Sequence, residues 1–456
     1  MHIHLVGIGG AGLSAIATVL LEQGYTVSGS DMQKSPALER LRRLGASISI
    51  GHRAGNLTSP DLVVISSAIP ANNPEVLAAQ QRGIPVQKRP AWLGRMMAGK
   101  RGVAIAGTHG KTTTTAMVSL VLSRANLSPT YIIGGHFPQL NGNAAAGQSD
   151  WFVIEADEYD HTFLSLKPEL AVITNVEWDH PDIYPTEAAY RQAFIDFAAL
   201  VPEHGQVIVC GDDQGVQGIL QQLPSVITYG MQATNTWQAV NLTINEAGGY
   251  SFDLHYRGQQ ANTQPLSLRV PGRHNVLNAL AALIMAQSVG VSLAETAKTL
   301  SAFAGAGRRF ELKGEVKGVT VIDDYAHHPT EVRVNIDAAR TRFADRPLWA
   351  VFQPHTFSRT RLLLNEFAAA LDGADHVIVL DIFPSREQDD GTISSADLIA
   401  RMNHAHARHI GPIPEAVKYL HSHLKPGDVL MTMSAGDGYL VSEGVLAALR
   451  SHTQGG

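Results

Sequence analysis

The sequence predicts an α/β protein of three domains: a Rossmann-like N-terminal domain, a central P-loop domain and a C-terminal Rossmann-like α/β domain. The chain has 456 residues, and a typical domain has roughly 150. Short apolar runs that end in polar or glycine residues alternate with longer helical patterns, as in parallel sheets wound with helices. Two glycine-rich loops each stand between a strand pattern and a helix pattern, the context in which backbone amides bind phosphate.

The composition excludes several classes of protein. Hydrophobic residues make up 45% of the chain and charged residues 17%, which is typical of a globular protein and not of a disordered one. The formal net charge of -6 gives no reason to expect a nucleic acid as partner. The single cysteine, Cys210, fits a reducing compartment. The N-terminus lacks the pattern of a secretory signal and no apolar run reaches about 18 residues, so we expect a cytoplasmic protein without a membrane partner.

Apolar runs of strand length predict the sheets in order along the chain. The predicted strands are residues 5–6, 27–28, 62–65, 103–106, 152–155, 171–174, 207–210, 319–323, 349–352, 377–380 and 429–433.

One segment differs from this parallel pattern. Residues 237–256 alternate around 247–249, which predicts an antiparallel hairpin within the middle domain. Turn residues at 98–100 and 305–307 precede new strands and suggest the domain boundaries. We therefore expect domains at residues 1–98, 99–307 and 308–456.

The first glycine-rich loop, residues 7–12, matches the spacing of a dinucleotide fingerprint. Its glycines let backbone N–H groups approach a diphosphate at a helix N-terminus. Asp31 ends the second strand, where an acidic residue meets a ribose hydroxyl. Close packing of the helix is the alternative explanation of the glycines, and the motif does not identify the nucleotide.

The second loop, residues 107–113, is a shortened phosphate-binding loop, because Ile105 stands where the consensus has its first glycine. Its backbone amides would cradle phosphates, Lys111 would neutralise the transferred phosphoryl group, and Thr112 or Thr113 would reach a Mg²⁺ ion. A plain glycine turn with a solvated lysine is the alternative. The loop residues predicted to bind nucleotide are Gly107, Thr108, His109, Gly110, Lys111, Thr112 and Thr113.

Polar groups at the ends of later strands add candidates for metal binding and substrate binding. Glu155 offers carboxylate oxygens to Mg²⁺, and His180 offers an imidazole nitrogen to a second metal. Solvated loops are the alternative for both. In the last domain, residues 323–329, 353–361 and 434–438 each follow a strand, so their polar groups are expected to converge on one crevice.

These motifs together resemble those of the Mur ligase family. Most of the resemblance rests on residues 6–12 with Ser14, residues 107–114 and residues 323–330. It extends over essentially the whole chain through residues 155–158, 179–180, 272–275 with Asn278, 308–310 and 352–355.

The resemblance implies a ligase that uses ATP and Mg²⁺ to activate the lactyl carboxylate of UDP-N-acetylmuramate and join it to L-alanine, as a monomer or homodimer. It implies that Lys111 contacts phosphates, that Thr112 and Glu155 hold one Mg²⁺, and that His180 holds another. The residues implied to bind the UDP-sugar are Gly7, Gly9, Gly10, Gly12, Ser14, Asp31, Ser66 and Ser67.

The remaining implied roles belong to ATP and the amino acid. His274, Asn278, Arg309 and Asp324 correspond to ATP contacts, the first two to the adenine and Asp324 to the ribose. Tyr325, His327 and Arg359 correspond to residues that receive alanine. The residues implied to be catalytic are Lys111, His180, His327 and Arg359, with His327 a guess for the general base.

Two departures and three alternatives accompany the resemblance. Some members have arginine where this chain has Thr356, and no lysine lies between Lys167 and Lys298 to serve as a carbamylated metal ligand.

A peptide ligase that adds a preformed peptide to the same nucleotide shares most motifs. A nicotinamide-dependent oxidoreductase would account for the first loop and Asp31, but not for the second loop. An ATP-binding protein without ligase chemistry is the third alternative.

Overall fold

The computed structural model describes residues 1–261 and 265–451. They form two compact units, of which the first contains Met1–Leu242, Phe252–Leu266 and Leu277–Ala302, and the second contains Thr243–Ser251, Ser267–Val276 and the chain from Phe303 onward. Among the described residues, no helix is long and apolar enough to cross a membrane.

The N-terminal part of the first unit is a five-stranded sheet. Its strands are β1 (His2–Val6), β2 (Thr26–Asp31), β3 (Ser47–Ile50), β4 (Leu62–Ile65) and β5 (Val86–Lys88). Its helices are α1 (Ala11–Glu22), α2 (Pro36–Arg43), α3 (Pro74–Gln81) and α4 (Arg89–Met97). All pairs are parallel in the order β3-β2-β1-β4-β5, so the connections reverse direction at β1. A crevice beyond the carboxyl end of β1 is therefore the expected ligand site of this Rossmann-like sheet.

The central strand β1 has both faces buried. Ile3 and Leu5 pack with Leu13 of α1 on one face, while Val6 packs with Val63 on the other. Successive side chains of a strand point to opposite faces, which is why a central parallel strand is apolar along most of its length.

A buried carboxylate, Glu75, satisfies the polar groups on the second face of this sheet. It accepts hydrogen bonds from the Ser30 hydroxyl at 2.6 Å, the Arg53 amide at 3.0 Å and the Asn56 side chain at 2.5 Å, and lies 3.0 Å from His4 Nε2. Burial alone would raise the pKa of Glu75, but these hydrogen bonds outweigh burial and lower it to about 2. The carboxylate therefore links β1, β2 and α3 in its charged form.

We expect the variant E75Q to lower the free energy of unfolding at neutral pH by about 3 kcal/mol. This is the stabilisation that corresponds to a Glu75 pKa lowered from 4.5 in the unfolded chain to about 2 in the folded protein. Because the folded-state pKa is depressed, this stabilisation is fully present above pH 4.5 and is lost as the pH falls toward 2. Urea unfolding across this range measures it, with the exposed Glu39 changed to Gln as the control. Equal stability of E75Q and wild type at pH 7 would contradict the prediction.

The central sheet comprises eleven strands among the described residues. They are β6 (Arg101–Ala106), β7 (Thr130–Phe137), β8 (Gly142–Ala145), β9 (Trp151–Glu155), β10 (Pro168–Ile173), β11 (Gln206–Cys210), β12 (Val226–Gly230), β13 (Trp237–Ile244), β14 (Tyr250–Tyr256), β15 (Gln259–Gln260) and β16 (Leu266–Ser267). The helices are α5 (Lys111–Arg124), α6 (Glu187–Ala198), α7 (Gln214–Ile219), α8 (Arg273–Ser288) and α9 (Leu293–Ser301). The order is β15-β14-β13-β12-β11-β10-β6-β9-β7-β8, with β16 beside β14. Strand β6 thus lies between β9 and β10, and all three run parallel.

The predicted hairpin is present as the neighbouring strands β13 and β14. Its turn is closed by the Gly248 amide, which donates to the Asn245 carbonyl at 2.9 Å. The strands extend the central sheet, whereas the turn segment Thr243–Ser251 belongs to the second compact unit.

The sheet of the second unit has six strands. They are β17 (Glu311–Val316), β18 (Val319–Asp324), β19 (Leu348–Phe352), β20 (His376–Val379), β21 (Ala407–His409) and β22 (Val429–Met433). The helices are α10 (Pro329–Arg342), α11 (Phe357–Leu362), α12 (Leu364–Ala370), α13 (Ser395–Arg401), α14 (Ile413–His423) and α15 (Tyr439–Ser451). The order is β17-β18-β22-β19-β20-β21, and only the edge strand β17 is antiparallel to its neighbour among these pairs.

Helices cover both faces of this sheet. Ile322 and Phe352 pack on the side of α10 and α12, and Val321 and Val351 pack on the side of α14 and α15. The alternation gives one hydrophobic core on each face, and it leaves the carboxyl ends of β18, β19 and β22 at one edge.

The strands predicted from apolar runs are confirmed. Short or polar strands at sheet edges, among them β3, β5 and β21, are not predicted by the apolar runs. Such strands bury few side chains, so their apolar pattern is weak.

Candidate active site

The second glycine-rich loop runs from the end of β6 at Ala106 to the start of α5 at Lys111. Gly110 caps the helix in the left-handed region at φ 82°, and Gly107 has φ 137°. The Asn175 side chain fastens the loop: its Oδ1 accepts from the His109 amide at 2.8 Å and its Nδ2 donates to the His109 carbonyl at 3.0 Å. The loop is therefore pre-formed at a helix N-terminus, as phosphate binding requires.

We expect the variant G107A to lose affinity for a non-hydrolysable ATP analogue by at least about tenfold, because a side chain at a left-handed position carries a backbone cost and this one also collides. An added Cβ would lie 1.9 Å from Thr174 Oγ1. Gly99, at φ 76° with no atom within 4 Å, supplies the matched control G99A. Isothermal titration calorimetry measures the affinity, and equal affinities of G107A and G99A would contradict the prediction.

Lys111 is largely shielded from solvent and is ion-paired with the buried Glu158. Its Nζ lies 2.8 Å from Glu158 Oε2, and it also donates to the carbonyls of Gly107 at 2.5 Å and Thr108 at 3.0 Å. Burial alone would lower the pKa of Lys111, but the charge of Glu158, with smaller contributions from neighbouring carboxylates, holds it above its usual range. The ammonium group is thus charged and held in the loop.

Glu158 is charged as well. Burial would raise its pKa, yet the charge of Lys111 and a hydrogen bond with His180 keep it below the usual range. His180 Nε2 lies 3.4 Å from Glu158 Oε1, and the Tyr184 hydroxyl donates to the Glu158 carbonyl at 2.6 Å. Glu158 therefore connects the predicted catalytic lysine with the predicted metal ligand His180.

Thr112 and Glu155 meet at the start of α5. The Thr112 hydroxyl donates to Glu155 Oε1 at 3.0 Å, and the Gly134 amide donates to Glu155 Oε2 at 2.7 Å. An added Cβ on Gly134 would lie 2.4 Å from this carboxylate, so a side chain there would displace the carboxylate from its observed position. The structure thus brings together two of the predicted Mg²⁺ ligands.

The first glycine-rich loop joins β1 to α1. The Gly9 amide donates to Asp31 Oδ2 at 2.9 Å, and the Ser14 hydroxyl donates to the Ala11 carbonyl at 3.1 Å. Ser66 lies beside the loop, because an added Cβ on Gly7 would lie 3.3 Å from its Cβ. These predicted UDP-sugar residues, which include Gly10 and Gly12, lie around the carboxyl end of β1.

Ser67 differs from its neighbours in this group. Its hydroxyl oxygen is buried and has no hydrogen-bond partner within residues 1–261 and 265–451. Since buried hydroxyls are normally paired, this one is available to a ligand.

The two residues predicted to contact adenine lie on α8. Asn278 belongs to the first unit, where its Oδ1 accepts from the Thr114 hydroxyl at 3.2 Å. His274 belongs to the second unit, and its buried Nδ1 has no partner in the described part of the chain. Burial, with the charge of Arg309, lowers the pKa of His274 to about 4, so the ring is neutral at physiological pH.

Asp324 and Tyr325 lie at the carboxyl end of β18. Asp324 accepts from the amides of Phe310 at 2.6 Å and Ala326 at 2.7 Å, while burial raises its pKa to about 6. The Arg309 guanidinium lies 5.3 Å from the centre of the Tyr325 ring. The structure thus brings three of the predicted residues together within the second unit.

His327 and Arg359 are linked through His355. The rings of His327 and His355 lie 5.6 Å apart, and Arg359 Nη1 lies 3.3 Å from His355 Nδ1. Burial, reinforced by the charge of Arg359, lowers the pKa of His327 to about 3 even though Glu331 opposes the shift. A neutral imidazole of such low basicity is better suited to hydrogen bonding than to removing a proton.

Thr356, the position that departs from the family pattern, begins α11. It adopts a positive φ of 67°, and its hydroxyl oxygen accepts from the Arg359 amide at 3.4 Å. Thr356 therefore orients the helix that carries Arg359.

Sequence reasoning missed the roles of Glu158 and Glu331. Glu158 belongs to the acidic cluster 155–158, in which the sequence predicts a metal ligand only at Glu155. Glu331 forms a capping box with His328 and accepts from the His327 amide at 3.0 Å. A glutamate three residues after a helix N-cap is a recognisable signal.

Three mainly parallel sheets and a phosphate loop with a lysine–glutamate ion pair are typical of an ATP-dependent enzyme of several α/β domains. Family models agree with this class along the chain. They are the Mur ligase family catalytic domain at residues 2–101, the Mur ligase middle domain at residues 105–286, and the Mur ligase glutamate ligase domain at residues 308–436.

Curated relatives match almost the full length. The UDP-N-acetylmuramate--L-alanine ligase of Alkaliphilus metalliredigens is 43% identical over 98% of this chain and 97% of its own. The protein of that name from Frankia casuarinae is 44% identical, again over 98% of this chain and 97% of its own. The chain belongs to the Mur ligase family and is an ATP-dependent ligase.

Two solved structures are similar to this one. The UDP-N-acetylmuramate-alanine ligase MurC from Thermotoga maritima has a TM-score of 0.85 and 31% identity, over 99% of this chain and 100% of that one. The murein peptide ligase from Psychrobacter arcticus has a TM-score of 0.75 and 28% identity, over 98% of each chain. The expected three-domain α/β fold is therefore confirmed. The alternative hypothesis of a nicotinamide-dependent oxidoreductase is not supported by these similarities.

Proposed function

We propose that this enzyme forms an amide bond between the lactyl carboxylate of UDP-N-acetylmuramate and the amino group of L-alanine, converting ATP to ADP and phosphate in peptidoglycan precursor synthesis. The observation that carries the proposal is the match of relatives with this activity in their names over 98% of the chain. The ion pair of Lys111 with Glu158 supports phosphoryl transfer at the second loop.

In the first step, a lactyl carboxylate oxygen bonds to the γ-phosphorus of ATP, and the bond from that phosphorus to the ADP oxygen breaks. Lys111 stabilises the negative charge on the transferring oxygens, and the backbone amides of residues 110–112 hold the phosphates. The product is an acyl phosphate. Thr108, His109 and Thr113 complete the proposed ATP loop.

Mg²⁺ is the proposed metal, held by Thr112 and Glu155 at one position and by His180 at a second. Two observations support the fit: hard oxygens of Thr112 and Glu155 lie 3.0 Å apart, and the glycine at 134 leaves room for the carboxylate. When bound, Mg²⁺ neutralises charge on phosphate oxygens.

In the second step, the neutral amine of L-alanine attacks the acyl carbon, phosphate leaves from the tetrahedral intermediate, and the proton lost by the amine passes to the departing phosphate or to water. Tyr325, His327 and Arg359 are proposed to receive the amino acid, with Arg359 pairing its carboxylate. The low pKa of His327 supports a neutral hydrogen-bonding role. His274, Asn278, Arg309 and Asp324 are proposed to bind the nucleoside of ATP.

The proposed domain boundaries remain 1–98, 99–307 and 308–456. The residues at the carboxyl end of β1, together with Ser66 and Ser67, are proposed to hold the UDP-sugar. We propose a cytoplasmic location, because the single cysteine fits a reducing compartment, and either a monomer or a homodimer.

A murein peptide ligase is the second candidate, favoured by the similarity to the Psychrobacter arcticus structure. It would use the same carboxylate and ATP but a preformed peptide as the amine.

The decisive experiment supplies purified enzyme with ATP, Mg²⁺, UDP-N-acetylmuramate and one acceptor, either L-alanine, glycine, L-serine or a tripeptide. Product mass and phosphate release are followed together. We expect an alanine adduct with one phosphate released per product. Glycine and serine products are expected at lower rates, since one methyl group discriminates by only about 1–3 kcal/mol. A tripeptide adduct alone would assign the second candidate.

A further inference from the structure

A cavity of about 430 Å³ lies in the second unit, at the amino ends of β19, β20 and β21 and beside the end of α14. This volume is within the range of small-molecule binding sites. The substrate residues proposed above for this sheet follow the carboxyl ends of β18 and β19. Because the five residues of β19 extend over roughly 13 Å, the cavity is separate from that edge of the sheet.

Two groups of aromatic rings line the cavity. The register of the sheet places Trp349 beside His376, and their rings stack at a centroid distance of 3.9 Å. The His406 ring lies 5.1 Å from that of His376. On α14, the rings of Tyr419 and His423 stack at 4.0 Å. His406 and His423 are the exposed members of these groups, so their ring faces are accessible to a planar heterocycle.

Two exposed cations, Arg408 and Lys425, also line the cavity. The Arg408 guanidinium lies 5.7 Å from the centre of the Tyr419 ring. Within the part of the chain that the structure describes, neither cationic group forms a hydrogen bond or an ion pair with a carboxylate. Guanidinium and ammonium groups bind phosphate oxygens through charge-assisted hydrogen bonds, so both side chains are available to an anion.

The carboxylates near these cations have other partners. Asp428 lines the cavity, but its Oδ2 accepts from Trp349 Nε1 at 3.0 Å and from the Lys425 amide at 2.9 Å. Asp375, which precedes β20, is ion-paired with Arg340 at 2.8 Å. The acidic groups are therefore committed to holding the fold, and the cavity offers positive charge to a ligand.

We propose that this cavity is an additional nucleotide site. It holds the phosphate of a mononucleotide on Arg408 and Lys425, and the base lies against the imidazole rings of His406 and His423. Recognition rests on side chains here, in contrast to the backbone amides of a phosphate loop. Stacking on a ring face accepts any base, whereas the charged groups require the phosphate. A nucleotide is therefore expected to bind more tightly than either of its parts.

Ser422 supplies a local reporter of binding, because it is exposed and lines the cavity. The variant S422C can be labelled selectively with an environment-sensitive fluorophore, since the natural cysteine, Cys210, is buried. The labelled full-length protein is titrated with AMP, UMP, inorganic phosphate, adenosine and uridine. We expect a saturable change in emission with both nucleotides, and at least about tenfold weaker binding of inorganic phosphate and of each nucleoside.

The contribution of the two cations is measured in the labelled double variant R408Q/K425Q. Both nucleotides are expected to bind it at least about tenfold more weakly, because charge-assisted contacts are lost. R401Q and K418Q are the matched controls, since Arg401 and Lys418 are exposed cations that do not line the cavity. Phosphate release at saturating substrates is expected to be unchanged in R408Q/K425Q, which shows that the variant is folded.

The absence of a saturable response to AMP and UMP would overturn the proposal. Inorganic phosphate that binds as tightly as the nucleotides would also overturn it, because the cavity would then be a simple anion site. Both comparisons use a protein with the two cations intact and do not depend on the folding of R408Q/K425Q. Unchanged nucleotide affinity in a folded R408Q/K425Q would contradict the assigned phosphate contacts.

Discussion

The variant K111A is expected to release phosphate at least about a thousandfold more slowly than wild type while still binding UDP-N-acetylmuramate. Lys111 is the cation of the phosphate loop, and its Nζ hydrogen-bonds to loop carbonyls and to Glu158. The proposed UDP-sugar residues lie on a different sheet, so their affinity is expected to stay. Coupled phosphate detection and calorimetry measure the two properties. If K111A retained turnover, Lys111 could not be the residue that stabilises the transferring phosphoryl group.

Because Lys111 is ion-paired with Glu158, the effect of K111A on activity must be separated from its effect on folding stability. Removing Lys111 leaves Glu158 buried without its cation, which typically costs about 3–5 kcal/mol. The double variant K111A/E158Q removes this unpaired charge, so we expect stability to recover without activity. K167A, at an exposed lysine, is the matched single control. Recovery of turnover in the double variant would mean that K111A fails only through misfolding.

The variant E155Q is expected to bind Mn²⁺, a spectroscopic substitute for Mg²⁺, more than about a hundredfold less tightly in the presence of an ATP analogue. Groups outside the direct ligand set already affect metal affinity by about 10–100-fold, and a direct carboxylate ligand should exceed that. In the wild type, the Glu155 carboxylate accepts hydrogen bonds from the Thr112 hydroxyl at 3.0 Å and from the Gly134 amide at 2.7 Å. Replacing Glu155 with glutamine removes the charge and changes the shape of the side chain little. Electron paramagnetic resonance titration counts the free metal.

The control for E155Q is E203Q, which removes an exposed carboxylate of the same domain. Equal Mn²⁺ affinity of E155Q and E203Q would exclude Glu155 as a ligand. Phosphate release is expected to fall in E155Q and to recover only in part at high Mg²⁺ concentration.

The strands and both glycine-rich loops could be predicted because their signals are local. Strand β6, loop 107–110 and helix α5 follow one another, so the phosphate loop is readable from a few adjacent residues. Edge strand β3 escaped prediction because its residues are only partly buried. The roles of Glu158 and His355 could not be predicted from the sequence. Glu158 contacts Lys111 and His355 contacts Arg359, and these contacts depend on the folded structure and not on a local sequence pattern.

The sequence by itself determined the class of fold, the positions of the two loops and the resemblance to the Mur ligase family, since these depend on residue type and spacing. Only the tertiary structure decided which charges meet. Folding brings Glu158 within 2.8 Å of Lys111 although the two residues are 47 positions apart in the sequence. The physical reason is that a buried charge is stable only beside its partner, and the packing of β6, β9 and β10 selects that partner from all the carboxylates in the chain.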